Sequence, residues 1–347
     1  MPTNSNVLLT GASGAVGHEV LRQLHSSGKY NITVFDLKSS AAVKLFKKYK
    51  SEIEVIYGDI SKKEDIKSAC QEKDIVIHLA AVIPPLADEQ PKLAYSVNVT
   101  GTENLISALE NYSPGAFLIY SSSISVYGDR VADPNIKLSD PLTPSPRDEY
   151  ALTKIEAEKL IKQSVLDWTI FRLCAIMGRH KISKLMFHQP LNTSFEIATL
   201  EDSARAFVHA IEHQAELSKK TFNLGGGASC RTTYDEFLKR SFDIAGLGKF
   251  EFAPKSFAEK NFHCGFYADG DALEEILHFR KDTIDSYYEK EQTKVPAALK
   301  LLVSLLNRPI KRYLQNLSEP LRAVKTTDTK DIQHYFYDRK VGQSASE

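Results

Sequence analysis

Tyr150 and Lys154 stand four residues apart in Tyr150-Ala151-Leu152-Thr153-Lys154. On a helix this spacing puts both side chains on one face, where the ammonium favours the phenolate and makes a phenol of ordinary pKa about 10 usable in general acid and base chemistry. The chain holds 15 tyrosines, so the pair gains meaning from its place rather than from its existence. A second set lies earlier. Gly11, Gly14 and Gly17, in Gly11-Ala12-Ser13-Gly14-Ala15-Val16-Gly17, follow the run Val7-Leu8-Leu9-Thr10. Glycines so spaced permit a tight turn, let a pyrophosphate approach the backbone and let a helix pack closely, and that helix's N-terminus offers amide donors. Asp36, 19 residues beyond Gly17, falls where a carboxylate receives the ribose hydroxyls of an adenosine. A carboxylate there repels a 2′-phosphate, which favours NAD over NADP, and Lys38 offsets part of that repulsion.

The elements that must position these groups follow from hydrophobic pattern. Residues 7–10, 32–35, 55–57, 75–79 and 117–121 are largely apolar without alternation, the pattern of strands buried on both faces. Amphipathic stretches at 18–27, 41–50, 63–71 and 97–111 separate them, and a helix over 150–164 and a strand over 168–173 continue the series. The expected fold is α/β, a doubly wound parallel sheet of Rossmann type with right-handed crossovers. Tyr150 then opens a helix just after the strand ending in Ser121-Ser122-Ser123, at the carboxyl edge where such sheets bind ligands. Beyond residue 173 the rhythm loosens into loops at 178–194, a helix near 202–213, a strand at 221–224 and Gly225-Gly226-Gly227. The expected division is a dinucleotide-binding domain over 1–172 to which 201–227 return, a smaller interleaved substrate lobe over 173–200 and 228–290, and a basic helical extension over 291–347 whose last residues, 341–347, are frayed.

Composition narrows the function. The chain has 347 residues, 42% hydrophobic and 25% charged, values of a globular protein of about two domains. Its 44 Lys and Arg balance 44 Asp and Glu, so no bulk cationic field holds nucleic acid. Cys70, Cys174, Cys230 and Cys264 form no C-x-x-C pair and are expected as free thiols. The start, MPTNSN, lacks a signal-peptide pattern, and no apolar run reaches the ~20 residues of a membrane span, so a cytoplasmic protein is expected. His78, in a strand, is expected as a satisfied core histidine, and no metal site is expected around His180 or His188, which could contact a ligand. Between residues 290 and 330, nine Lys and Arg face three acids. Within that stretch residues 297–307 carry Lys300, Ser304 and Asn307 on one stripe and mostly Leu or Val elsewhere, and Ile310, Tyr313, Leu314 and Leu317 extend the apolar pattern. Core packing or a homodimer contact is expected to cover this face, with a weak peripheral membrane contact through 297–322 as the other possibility.

Taken together, the motifs resemble the extended short-chain dehydrogenase/reductase family, the NAD-dependent epimerase/dehydratase group. GASGAVG at Gly11, GDI at Gly58, HLAA at His78, NVTGT at Asn98, SSSISVYG at Ser121 and YALTK at Tyr150 carry the resemblance over residues 7–224. It implies bound NAD, with Asp59 and Ile60 beside the adenine, Leu79, Ala80 and Ala81 along the cofactor, and Asn98 supporting the active-site backbone. Ser13, Ala15, Val16, Leu37 and Ser121 complete the implied cofactor set with Gly11, Gly14, Gly17, Asp36, Tyr150 and Lys154. The resemblance also implies that Ser123 bonds the reacting oxygen, that Lys154 holds the nicotinamide ribose, and that Tyr150 takes the hydroxyl proton as hydride passes to C4. Ser122 and Ser125 are neighbours able to take the serine's role.

Where nucleotide-sugar members carry R-x-x-N, this chain has Arg172-Leu173-Cys174-Ala175, and only about 17 residues separate Gly178 from Glu196. Both departures point to a small sugar-like substrate, a free sugar or sugar acid, although Arg179, His180, Lys181 and Lys184 keep an anionic one open. The expected function is NAD-dependent, reversible hydride transfer at a secondary alcohol of a sugar-like substrate, whether free sugar, sugar acid or nucleotide sugar. The alternatives are a nucleotide-sugar 4-epimerase, a dehydrogenase resembling those for 3β-hydroxysteroids, and an NAD-sensing regulator without turnover.

Overall fold

The computed structural model describes residues 5–49, 51–178 and 183–337. Arg179, His180, Lys181 and the tail 341–347 therefore lie outside the described residues. The strands are β1 Ser5–Thr10, β2 Tyr30–Asp36, β3 Glu54–Tyr57, β4 Ile75–His78, β5 Phe117–Ser123, β6 Asn135–Ile136, β7 Asp167–Leu173, β8 Ala175–Met177, β9 Ser194–Thr199, β10 Lys220–Leu224, β11 Arg231–Thr233 and β12 Phe266–Tyr267.

Seven of them form one parallel sheet in the order β10-β7-β5-β4-β1-β2-β3. Successive side chains of a strand point to opposite faces, and here both faces are covered. Val7, Leu9, Ile75, Ile77, Phe117 and Ile119 enter one core, and Leu8, Val76, Leu118 and Tyr120 enter the other. The non-alternating apolar runs are explained by this two-sided burial. The order reverses between β1 and β4, which pair so that Thr10 lies beside His78 at their carboxyl ends, and a crevice at such a switch point is where doubly wound sheets bind ligands.

Several boundaries differ from the sequence pattern. The stretch expected as one helix over 97–111 is a π-helical turn, Ser96–Thr100, followed by the helix Gly101–Tyr112. The 63–71 helix breaks into Lys63–Ile66 and Ser68–Cys70. The region expected as loop over 178–194 carries a turn of 3-10 helix at Lys184–Phe187, and β9 begins at its end. That strand is hard to see in the sequence because Glu196 interrupts its apolar pattern. The carboxylate is buried and is balanced by Arg231 at 2.9 Å and by the amides of Gly227 and Tyr267 at 3.1 and 3.2 Å.

β11, β9 and β8 form a second, three-stranded sheet, and β12 pairs with β6. This lobe has its own core, in which Phe187, Phe195, Phe237, Phe242 and Phe257 are buried. The C-terminal residues fold into the helices Ala297–Leu305, Asn307–Asn316, Glu319–Thr326 and Thr329–Tyr335. Core packing does not cover the apolar face expected at 297–307: the helix Ala297–Leu305 has no buried residue. Only Val303, Ile310, Leu314 and Leu317 reach the lobe's core, so the periodicity is real but the packed stripe is narrower than the apolar one.

Candidate active site

The turn after β1 places Gly11 at φ +72°, a conformation that costs a side-chain-bearing residue energy. A Cβ at Gly11 would lie 2.6 Å from the Ala80 amide nitrogen, and one at Gly17 would lie 2.2 Å from the Gly11 carbonyl oxygen. The helix Ala15–Ser27 starts at Gly14 with no side-chain cap and no acidic residue in its first turn. Its leading amides and positive dipole end are left facing the loop, the arrangement that fits an anionic phosphate.

Asp36 ends β2, and its carboxylate accepts from the Ser13 amide at 2.7 Å, the Ser13 hydroxyl at 2.9 Å and the Leu37 amide at 2.8 Å. It therefore holds the glycine turn against the second strand. Asp59 accepts from the Ser61 amide and hydroxyl, and buried Ile60 lies against Gly101. Leu79, Ala80 and Ala81 leave β4 half-buried, with the Leu79 and Ala80 amides donating to the Thr10 carbonyl and hydroxyl.

Asn98 is buried on the π-helical turn and has all its amide atoms engaged. Its oxygen accepts from the Val82 amide at 2.7 Å, and its nitrogen donates to the Val82 carbonyl and the Thr153 hydroxyl, both at 2.9 Å. It ties the segment after β4 to the helix Glu149–Gln163. His78 is fully buried between the Thr10 hydroxyl at 2.7 Å and the Thr102 hydroxyl at 3.0 Å. Because Thr102 donates to the Asn98 carbonyl, it accepts from Nε2–H, and Thr10 donates to Nδ1. Burial, aided by Lys154, holds this imidazole down to about 3, so it stays neutral as a structural link.

The helix Glu149–Gln163 brings Tyr150 and Lys154 to the end of β5. Asp148 caps it by accepting from the Ala151 amide at 2.8 Å, and the backbone amides of Tyr150 and Glu149 lie near enough to Asp88 to favour its charged form against burial. The Ser123 hydroxyl lies beside the Tyr150 phenol, close enough to lower its pKa, and accepts from the Ser125 amide at 3.2 Å. Lys154 is buried, donates to the Ser121 carbonyl at 2.7 Å, and sits 4.7 Å from the Tyr120 ring centroid and 5.6 Å from that of Tyr150.

Of the three serines, Ser122 points to the other face and donates to Glu158 at 2.6 Å, while Ser125 is fully buried and its hydroxyl has no hydrogen-bond partner among the described residues. Ser123 is thus the one aimed at the tyrosine. The electrostatics differ from the simple pair argument. Burial, with the Asp148 charge, raises the phenol's pKa above its ordinary value, and the Ser123 hydroxyl offsets only part of this. Lys154 does not outweigh burial, because burial also acts on the lysine and pushes it down to about 7 despite Glu158.

Glu158, one turn further along the helix, was not singled out by its sequence context. Burial would raise it, but two hydrogen bonds from Arg172 at 2.8 and 2.7 Å, with Lys162 at 2.9 Å, bring it down to about 2. Arg172 continues to the Tyr127 hydroxyl, which donates to Asn223. His263 lies 3.3 Å from the capping Asp148. An Asp immediately before an apolar-periodic helix is a legible capping signal, whereas the partners of Glu158 and Asp148 come from distant segments.

Ala175, standing where a diphosphate-binding asparagine was looked for, packs toward the lobe's aromatic core. His188 is not turned over to a ligand: its Nε2 is 2.8 Å from Glu319, with the Tyr335 hydroxyl at 3.3 Å.

A doubly wound sheet with a glycine turn at its switch point and a Ser-Tyr-Lys group at the next strand end defines a dinucleotide-binding class, and the comparisons agree. Residues 8–172 match the model of the 3-beta hydroxysteroid dehydrogenase/isomerase family. The sterol-4-alpha-carboxylate 3-dehydrogenase of Schizosaccharomyces pombe is 32% identical over 166 residues, 47% of this chain and 46% of that one. UDP-glucose 4-epimerase 3 of Oryza sativa subsp. japonica is 31% identical over 173 residues, 46% and 44% of the two chains. A short-chain dehydrogenase/reductase superfamily protein from Agrobacterium tumefaciens, solved with bound NAD, superposes with a TM-score of 0.62 at 20% identity, covering 86% of this chain and 98% of that one. The family match covers just under half of this chain, and the likeness to the solved structure shows the fold of the short-chain dehydrogenase/reductases. Across four curated relatives the match spans 34 to 48% of their length. Among the described residues, no helix is long and apolar enough to cross a membrane.

Proposed function

We propose that the protein is an NAD-dependent oxidoreductase carrying out reversible hydride transfer at a secondary alcohol of a sugar-like substrate, a free sugar or sugar acid. The observation that carries this reading is the gathering of Ser123, Tyr150 and buried Lys154, whose ammonium lies 5.6 Å from the Tyr150 ring centroid, at the same sheet edge as the uncapped glycine turn. A regulator without turnover would have no use for that arrangement. The turn from Gly11 to Gly17 would hold the pyrophosphate, Asp36 and Leu37 the adenosine ribose, Asp59 and Ile60 the adenine, and Leu79 to Ala81 and Ser121 the walls toward the nicotinamide, with Asn98 bracing the backbone behind them. When bound, NAD supplies the hydride acceptor or donor. Tyr150 takes the hydroxyl proton in oxidation and returns it in reduction, Ser123 holds the same oxygen, and Lys154 orients the ribose. The lobe built from residues 173–178, 183–200 and 228–290 would face the substrate, and the free, buried thiols suit a reducing cytoplasm.

A second reading, a dehydrogenase for apolar 3β-hydroxy compounds, is favoured by the family match over residues 8–172. Native mass spectrometry of the purified protein, followed by a screen for NAD reduction with sugar acids, free sugars and 3β-hydroxysteroids, separates the two. Micromolar or tighter UDP binding to the NAD-loaded protein would overturn the small-substrate reading and restore a nucleotide-sugar epimerase. Titration of both cofactors should show tighter NAD than NADP binding, and Asp36→Ala should narrow the gap. Equal or tighter NADP binding would sink the cofactor assignment.

A further inference from the structure

The helix Ala297–Leu305 turns its leucines away from the protein. Val303 faces the lobe's aromatic core and the Lys300 backbone lies against Gly246. Leu299, Leu301, Leu302, Leu305 and the capping Leu306 are 46 to 74% exposed. At 3.6 residues per turn these five cover a continuous arc of about 160°, interrupted by nothing larger or more polar than Ala298. The next helix, Asn307–Asn316, packs Leu314 inward and presents Arg308, Arg312 and Tyr313 to solvent. Arg308 and Arg312 are one turn apart and pair with no carboxylate among the described residues. With Lys300 and Lys311 they make four cations, and no acid occurs between residues 297 and 316.

We propose that this face docks on an anionic lipid bilayer, the helix lying in the interfacial plane with its leucines at the acyl boundary and Arg308 and Arg312 on lipid phosphates. Charge complementarity selects this occupant. A second copy related by two-fold symmetry would lay this acid-free cationic patch on an identical one, with no acid from residues 297–316 to receive the arginines, whereas a phosphate surface supplies the missing counter-charge. The nine-residue helix is too short to span a bilayer and suits a helix that lies on one. The proposal does not depend on the reaction the site performs.

The test is cosedimentation of the full chain with vesicles of phosphatidylcholine alone and with about 30% phosphatidylglycerol. Binding is expected to the anionic vesicles, weaker to the neutral ones, and to fall as salt is raised. Arg308→Glu with Arg312→Glu should lower the partition coefficient by about tenfold or more, and Leu302→Glu with Leu305→Glu should abolish binding. Both pairs point outward, so near-ultraviolet circular dichroism should match the unaltered protein. Failure of the unaltered chain to bind anionic vesicles would overturn the proposal, as would undiminished binding of the leucine variant. Light scattering covers the rival occupant: a dimer that Leu302→Glu with Leu305→Glu converts to monomer would assign the face to a second copy and overturn the lipid reading.

Discussion

Burial acts on Tyr150 and Lys154 in the same sense, favouring the neutral form of each. On the proposed mechanism the tyrosine would therefore enter reduction as a protonated acid with Ser123 beside it. Tyr150→Phe keeps the ring and removes only that hydroxyl, so turnover should fall by roughly 10² to 10⁴ while NAD affinity stays nearly unchanged. Steady-state kinetics on the identified substrate decide this, and near-normal turnover would remove Tyr150 from the mechanism. Lys154 is held down to about 7 from 10.5, so between those values the unfolded chain binds the proton that the folded chain has released. Stability then rises with pH across that window, and the penalty of burying the ammonium is fully present below about 7. Lys154→Met should raise the thermal midpoint at neutral pH by ~2–5 °C while weakening NAD binding and turnover. A lowered midpoint would mean that the bonds to Ser121 and the aromatic rings outweigh the desolvation.

At the scale of elements, the helix Glu149–Gln163 is fastened to the sheet by charge as well as by packing. Glu158 on the helix and Arg172 on β7 are 1% and 5% exposed, so removing one partner leaves an uncompensated charge inside. Glu158→Gln should cost about 3–5 kcal/mol at neutral pH, measured by urea unfolding. The carboxyl is lowered from 4.5 to about 2, so its stabilisation is complete above about 4.5 and fades as pH falls toward 2. The gap between variant and unaltered protein should shrink over that range, and a pH-independent gap would trace the effect to packing instead. Spacing alone showed the helix, Tyr150 and Lys154, because all three are local. Glu158 and Arg172 are 14 residues apart on different elements, and only the sheet brings them together.

At the scale of the whole molecule, the C-terminal helices are clasped to the loop after β8. Glu319 meets His188 at 2.8 Å and Lys184 at 3.3 Å, and Arg147, just before the helix Glu149–Gln163, meets Asp331 at 2.7 Å. The hydrogen bond from His188, with the Lys184 charge, brings Glu319 down to about 2, so the clasp holds above about 4.5 and loosens as pH falls toward 2. Glu319→Gln should speed amide hydrogen exchange in Glu319–Thr326 and Thr329–Tyr335 at neutral pH, and unchanged exchange would show that packing alone holds them. The sequence by itself determined what depends on neighbours along the chain. The glycine turn, the strands buried on both faces, the Tyr150 and Lys154 pair and the amphipathic basic C-terminus all follow from period and spacing. Tertiary structure alone decided which serine meets the tyrosine, that Glu196 and Glu158 find buried cations, that His188 is spent on Glu319, and that the leucines after Pro296 remain uncovered. Each of these is a pairing between segments distant in sequence, and desolvation makes its energy depend on where the chain returns rather than on what the residue is.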